Sequence, residues 1–365
     1  MAVTVDVHEL TEVLQRTPAD QNIMLVGRHG IGKSQVISEF YEQRGLRVVP
    51  FFLGQMSDPG DLIGLPHKNL ETGRTEFLPP YWWPVESEPV VLFLDELNRA
   101  RPEILQAVMD LALNKTLAGR KLPAGSMLVS AINEGDDYLL TELDPALVSR
   151  FNVYHFQPTV EDWLVWAARN RLDGRLIDFV QHYAHFLDGT DPGGVSAETF
   201  TPSSEVYKTP DRRAWVRVSR MIEPIEDLQP VHMKLIAGAV GPAAASAFQK
   251  HLKSARQVSA EQLLLSWDDV KRQLETLPLA DCLGLNEQTV IWICGGHCPD
   301  DRADQARASL LAYFRLLQQR KMGEAVAHWV SLTDQSGYAP ALDWVAESME
   351  LTDLLTRYIE GVHVS

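Results

Sequence analysis

Residues 27–34 read Gly27-Arg28-His29-Gly30-Ile31-Gly32-Lys33-Ser34, the G-x-x-x-x-G-K-S pattern of a P-loop. An apolar run, Ile23-Met24-Leu25-Val26, precedes it and predicts a short buried strand. Val36, Ile37 and Phe40 follow at helical spacing. Strand, loop and helix in that order are the context the motif needs. Glycines let successive backbone N–H groups curl round a phosphate, and the helix N-terminus adds a favourable dipole. Lys33 is placed to reach the β- and γ-phosphates, and the Ser34 hydroxyl to ligate Mg²⁺. The nucleotide-binding set therefore runs from Gly27 to Ser34 and includes the adjoining Gln35.

The 365 residues suffice for two or three domains. A hydrophobic content of 45% and a charged content of 22% are ordinary for a soluble globular protein. No apolar run is long enough to cross a bilayer. Met1 to Leu10 carries Asp6 and Glu9 and lacks the basic-then-apolar pattern of a secretory signal. Three cysteines imply no disulfide framework and a reducing, cytoplasmic setting. A net charge of −16 disfavours broad electrostatic binding to nucleic acid, although a local basic groove is compatible with it. Cys294-Gly-Gly-His-Cys298 is a ligand short of a structural zinc site and reads instead as a turn flanked by buried thiols.

Working outward, Val7, Leu10, Val13 and Leu14 predict an amphipathic helix ending near Pro18, and Arg47 to Leu53 a second strand. Residues 66–84 hold four prolines with Phe77, Tyr81, Trp82 and Trp83, which predicts a hairpin or insert. Those aromatics either grip a substrate or pack beneath the insert; packing is the preferred reading. Val90-Val-Leu-Phe-Leu94 reads as a central buried strand that delivers Asp95 and Glu96 at its C-terminal edge, where open α/β sheets place ligands. A helix over 102–113, a strand from Met127 to Ile132 ending at Asn133, and a strand from Asn152 to Phe156 follow. This alternation predicts a mostly parallel sheet with helices on both faces. Beyond Phe156 the pattern is helical, except for a Gly/Pro/Ser/Thr-rich loop over 189–209.

Asp95 stands where a Walker B aspartate belongs, holding Mg²⁺ together with Ser34. Glu96 is placed to orient or deprotonate an attacking water. The alternative is that the acidic pair caps a helix.

The order of pieces resembles an AAA+ ATPase, and more closely its MoxR branch. Leu94-Asp-Glu-Leu-Asn-Arg-Ala100 resembles the MoxR D-E-[I/L]-N-R-A signature. Asp61-Leu-Ile-Gly64, the hairpin segment Leu117 to Pro123, and Ser130-Ala-Ile-Asn133 at the sensor 1 strand end resemble further family segments. Leu143 to Phe151 resembles a stretch that ends D-R-F in the family, with Ser149 in place of the usual Asp. Thr209-Pro-Asp-Arg-Arg-Ala-Trp215 resembles the sensor 2 segment with one residue inserted. Arg213 aligns by its spacing to Trp215, and Arg212 is the alternative.

The resemblance spans about residues 5–225. It implies an α/β nucleotide-binding domain over 1–157 with helix-2 and pre-sensor-1 inserts, and a helical lid over 158–225. A helical C-terminal extension would occupy 226–365. It implies ATP as substrate, Mg²⁺ as cofactor, and a ring, most often a hexamer, with active sites between subunits. It also implies a partner with a von Willebrand A domain and an unidentified client protein. Under it Glu96, Asn133, Arg150 and Arg213 carry catalysis, with Arg150 acting in trans as an arginine finger and Arg99 the second candidate for that role. Leu62 and Ile63 would be weaker candidates to line a central pore. Two other functions share these residues: a nucleotide-gated assembly switch with slow hydrolysis, and an AAA+ subunit of a nucleic-acid-directed complex, which could use GTP. Acidic charge and the lack of a recognisable DNA-binding motif count against the latter.

Overall fold

The apolar runs over 23–26 and 90–94 become parallel strands buried on both faces. The structure, a computed structural model, describes residues 2–84, 88–134, 143–189, 208–253 and 258–362. The loop expected over 189–209 lies outside these apart from its ends. The described chain divides into two compact units, Met1–Pro158 and Thr159–Ser365.

Among its described residues the first unit holds ten strands: β1 Thr4–Val5, β2 Asn22–Arg28, β3 Arg47–Phe52, β4 Pro66–Lys68, β5 Thr75–Phe77, β6 Val90–Asp95, β7 Thr116–Leu117, β8 Arg120–Lys121, β9 Met127–Glu134 and β10 Phe151–Phe156. Its helices are α1 Val7–Arg16, α2 Lys33–Glu42, α3 Gly60–Ile63, α4 Pro102–Asn114 and α5 Pro145–Val148. Six strands form one sheet in the order β1-β10-β2-β9-β6-β3. Every neighbouring pair in it is parallel. All of β6 and all but the last residue of β2 are buried, as a sheet covered on both sides demands.

Alternate residues supply the two faces. Ile23, Leu25, Val91, Phe93 and Val129 pack with Leu10 and Leu14 of α1 and Ile37 and Phe40 of α2. Met24, Leu92, Leu94 and Leu128 pack with Ile104, Val108 and Leu111 of α4. The sequence-expected α/β P-loop NTPase sheet flanked by helices is the architecture found.

Two antiparallel hairpins stand apart from the sheet, β4–β5 within the expected insert and β7–β8 in the segment before β9. Below the first, Trp82 is fully buried and makes an edge contact with Phe51, 5.0 Å between ring centres. Tyr81 is 91% exposed, so the aromatic cluster divides between packing and surface. The pore expectation is corrected for Leu62: it is fully buried in the core beneath α4, and Ile63 packs partly buried against the same core.

The second unit is helical: α6 Val160–Arg169, α7 Gly174–His182, α8 Arg212–Ile222, α9 Pro230–Val240, α10 Pro242–Lys253, α11 Ala260–Leu265, α12 Trp267–Leu274, α13 Leu279–Cys294, α14 Ala303–Gln319, α15 Gly323–Thr333, α16 Ala339–Ala346 and α17 Met349–Val362. Phe179 and Trp215, from the part expected as a lid, share one core with Phe248, Phe314 and Trp329 from the expected extension. Cys294 is buried and Cys298 half-buried, and among the described residues they belong to no metal-ligating cluster. No described helix is long and apolar enough to cross a membrane.

Candidate nucleotide site

β2 ends in the P-loop, and the loop closes onto α2 through two glycines in the left-handed region, Gly30 at φ 83° and Gly32 at φ 102°. A side chain at either would strain that backbone. A Cβ on Gly27 would sit 2.7 Å from the Phe156 carbonyl oxygen, so β2 passes β10 at this point only as glycine. Arg28, His29 and Gln35 face solvent, whereas Lys33 is 5% exposed. Its Nζ donates to the carbonyls of Gly27 at 2.8 Å and Arg28 at 2.9 Å, and to Asn133 Oδ1 at 2.8 Å.

The sheet order explains how Asn133 comes there. β9 lies between the P-loop strand and the Walker B strand, and Asn133 is in register with Gly27. β9 thus ends beside the P-loop, with β6 on its other side. Ser34 Oγ donates to Asp95 Oδ2 at 3.2 Å. A hydroxyl and a carboxylate side by side form the oxygen donor set that suits Mg²⁺. Asp95 Oδ1 accepts from the Glu96 backbone N–H at 2.9 Å.

Glu96 adopts φ 56°, rare for a residue with a side chain. It precedes a short 3₁₀ turn, Leu97–Arg99, but its side chain makes no cap hydrogen bond to that turn. Instead Oε1 accepts from Arg99 Nη1 at 3.0 Å.

Two residues without an assigned role in the sequence reading support this group. Asn98, 5% exposed, donates from Nδ2 to the Asn133 carbonyl at 3.0 Å and so ties down the end of β9. Its buried Oδ1 has no hydrogen-bond partner among the described residues. Gly54, just past β3, leaves room for the Glu96–Arg99 pair: a Cβ there would lie 2.9 Å from Glu96 Oε2. The D-E-L-N-R-A motif contained the signal for Asn98; nothing local to Gly54 announced its part.

Arg150 is at the other edge of the sheet. It precedes Phe151, which pairs with Asn22, and Asn22 is five residues before Gly27 in β2. At ~3.3 Å per residue, that is roughly 16 Å from the P-loop of its own chain. Arg150 Nη1 donates to the Ala146 carbonyl, and its buried Nε has no hydrogen-bond partner among the described residues. Asn22 anchors this edge by donating to the carbonyls of Arg150 at 2.9 Å and Ala112 at 2.8 Å. Lys115 Nζ donates to Asn22 Oδ1 at 2.6 Å, and burial pushes the lysine down to about 8 against the pull of Asp20.

In the helical unit, Arg212 is buried in a two-pronged pair with Asp188, both contacts 2.8 Å, while Arg213 is exposed.

A family model described as "AAA domain (dynein-related subfamily)" matches residues 22–151, the segment that contains the P-loop, Asp95, Glu96 and Asn133. This segment thus matches an AAA domain. Among curated proteins, one of Thauera aromatica named "Putative chaperone BssE" is 30% identical over 155 residues, 40% of this chain. The chain spans about half, 53%, of that relative's length. Among solved structures, a RuvB Holliday junction branch migration motor of Thermotoga maritima is 12% identical, covering 73% of this chain and 76% of its own, with a TM-score of 0.36. NtrX of Brucella abortus is 12% identical, covering 89% and 69%, with a TM-score of 0.39. At those scores neither adds to the assignment.

Proposed function

We propose that the chain is a Mg²⁺-dependent AAA+ ATPase of the MoxR type. It hydrolyses ATP to ADP and phosphate and uses the free energy to remodel or mature a client protein. The observation that carries this reading is the arrangement around Lys33. A buried ammonium is held by two loop carbonyls and Asn133, next to the Ser34–Asp95 pair and one residue from Glu96. ATP phosphates would be received by the loop N–H groups and Lys33. Mg²⁺, bound through Ser34 and Asp95, would supply charge neutralisation of the phosphates. Glu96 would orient and deprotonate the attacking water, and Asn133 would hold it or the γ-phosphate.

Three further parts belong to the proposal. Arg150, at the far edge of its own sheet, is suited to reach a neighbour's nucleotide; a trans finger is worth roughly 10³–10⁵ in rate in other NTPases. That requires a ring, for which a hexamer is the family's expectation. Arg213 takes the sensor 2 role, since Arg212 is committed to Asp188. The partner is a von Willebrand A domain protein, and the setting cytoplasmic. The relation to a protein named as a chaperone supports work on protein clients over nucleic acid.

A second reading, a nucleotide-gated assembly switch, is favoured by one observation: Arg99 holds the Glu96 carboxylate. Steady multiple-turnover release of phosphate supports the motor. One-time retention of nucleotide by assembled protein supports the switch. A Glu96→Gln trap used as bait in native lysate names the client.

A further inference from the structure

The helical unit carries a group of side chains that the ATPase does not use. Asp178 and His182 are four residues apart on α7 and share a face. His251 of α10 reaches the same place, and the ligand atoms of all three lie within 4.8 Å of one another. Among the described residues this is the sole cluster of three or more His, Cys, Asp or Glu so arranged.

His251 Nε2 donates to Asp178 Oδ2 at 2.6 Å, an ordinary half-buried pair by itself. That pair accounts for His251, but it does not require His182. Yet the His182 ring turns to the same carboxylate, Nδ1 lying 3.7 Å from Asp178 Oδ1. The two imidazole centres are 5.2 Å apart. The surroundings resemble the outer shell of a metal site, in which each ligand is held by a further hydrogen bond. Gln288, on α13, donates to Asp178 Oδ1. His182 Nδ1 lies 2.6 Å from the Asp178 carbonyl, which can only accept, so Nδ1 carries the proton and Nε2 the lone pair. The His182 side chain is 28% exposed, which gives an ion a way in.

We propose that Asp178, His182 and His251 bind one divalent transition-metal ion of the zinc class, through two imidazoles and a carboxylate. Two nitrogens and one oxygen match zinc's preferences, with water completing the shell. Bonds of about 2.1 Å place ligand atoms no more than roughly 4 Å apart, so closure needs a shift of under about 1 Å. His182 would give up its bond to the Asp178 carbonyl, move its proton to Nε2 and bind the ion through Nδ1, the nitrogen that faces Asp178 Oδ1. His251 moves its proton from Nε2 to Nδ1 as the metal replaces the Asp178 hydrogen bond. The ion would tie α7 to α10.

The test uses the full chain, stripped with chelator and kept free of nucleotide and Mg²⁺, titrated with Zn²⁺ by calorimetry. We expect one saturable site and a rise in melting temperature on Zn²⁺ addition. His182→Ala, at an accessible position that should fold normally, should weaken binding by at least about tenfold and remove the thermal shift. ATP affinity of that variant, measured separately, should match the parent. The proposal is overturned if the parent shows no saturable site. It is equally overturned if His182→Ala binds Zn²⁺ as the parent does, which would assign the ion to another place such as Cys294–Cys298.

Discussion

Replacing Glu96 by Gln separates catalysis from structure at one position. The side chain keeps its size, and its carbonyl oxygen can still accept from Arg99. What changes in the fold is the charge of one pair, with side chains 22% and 27% exposed. Such a partly screened pair contributes about 0.5–1 kcal/mol, so the melting temperature should move little. Nucleotide affinity should also persist. Lys33 keeps its three acceptors, Ser34 keeps Asp95, and none of these four contacts involves Glu96. Hydrolysis is the exception. Loss of a general base typically costs 10²–10⁴ in rate, or about 2.7–5.5 kcal/mol at ~1.36 kcal/mol per decade. The rate effect should therefore exceed the stability effect severalfold in free energy. Coupled-enzyme turnover, calorimetric ATP binding and a thermal melt, on the same preparation, measure all three. Turnover at the parent rate in a folded, ATP-binding variant would refute the reasoning and reduce Glu96 to an ion-pair partner of Arg99.

Lys33→Ala should abolish tight ATP binding by calorimetry and lower the melting temperature, because it strands three acceptors, two of them buried, that each lose a charged hydrogen bond worth about 1.5–3 kcal/mol. Arg150→Ala should bind nucleotide but not turn over alone; mixing it with Lys33→Ala should restore part of the activity, and no rescue in mixed oligomers confirmed by mass spectrometry would count against a trans finger. Lys115 makes stability pH-dependent. Its folded value of about 8 lies below the unfolded 10.5, so the unfolded state binds more protons between these, and stability from this group rises with pH across that window. Urea titrations should show the rise reduced in Lys115→Met, and an unchanged pH slope would contradict the burial of this ammonium.

Much of the candidate nucleotide site could be read in one dimension, because its residues stand in short contiguous runs. A P-loop is a local object: strand, glycines, lysine and helix follow one another, and backbone N–H groups do the binding. The Asp95–Glu96 pair likewise ends its own apolar strand. For the same reason the parallel sheet was legible, since strands buried on both faces show as unbroken apolar runs bounded by loop formers. Where a side chain's role depended on what lay beside it, the sequence was mute or misleading. Leu62 was a weak pore candidate by the family resemblance, yet it is buried in the core that α4 shares. Spacing to Trp215 favoured Arg213 over Arg212, but nothing in the sequence showed that Asp188, 24 residues upstream, holds Arg212.

The sequence alone therefore determined the candidate module: a P-loop motif, an acidic pair at the end of an apolar strand and an asparagine at the end of another, each recognisable because its spacing is set by covalent connectivity. Tertiary structure decided everything that joins residues far apart along the chain. It placed β9 between β2 and β6, so that Asn133 meets a lysine 100 residues earlier. It brought Gly54 beneath Glu96 and Asn98 onto the end of the sensor strand. It also gathered Asp178, His182 and His251 from two helices. Those contacts arise from strand order and helix packing, which the burial of many side chains together selects and no short run of residues encodes.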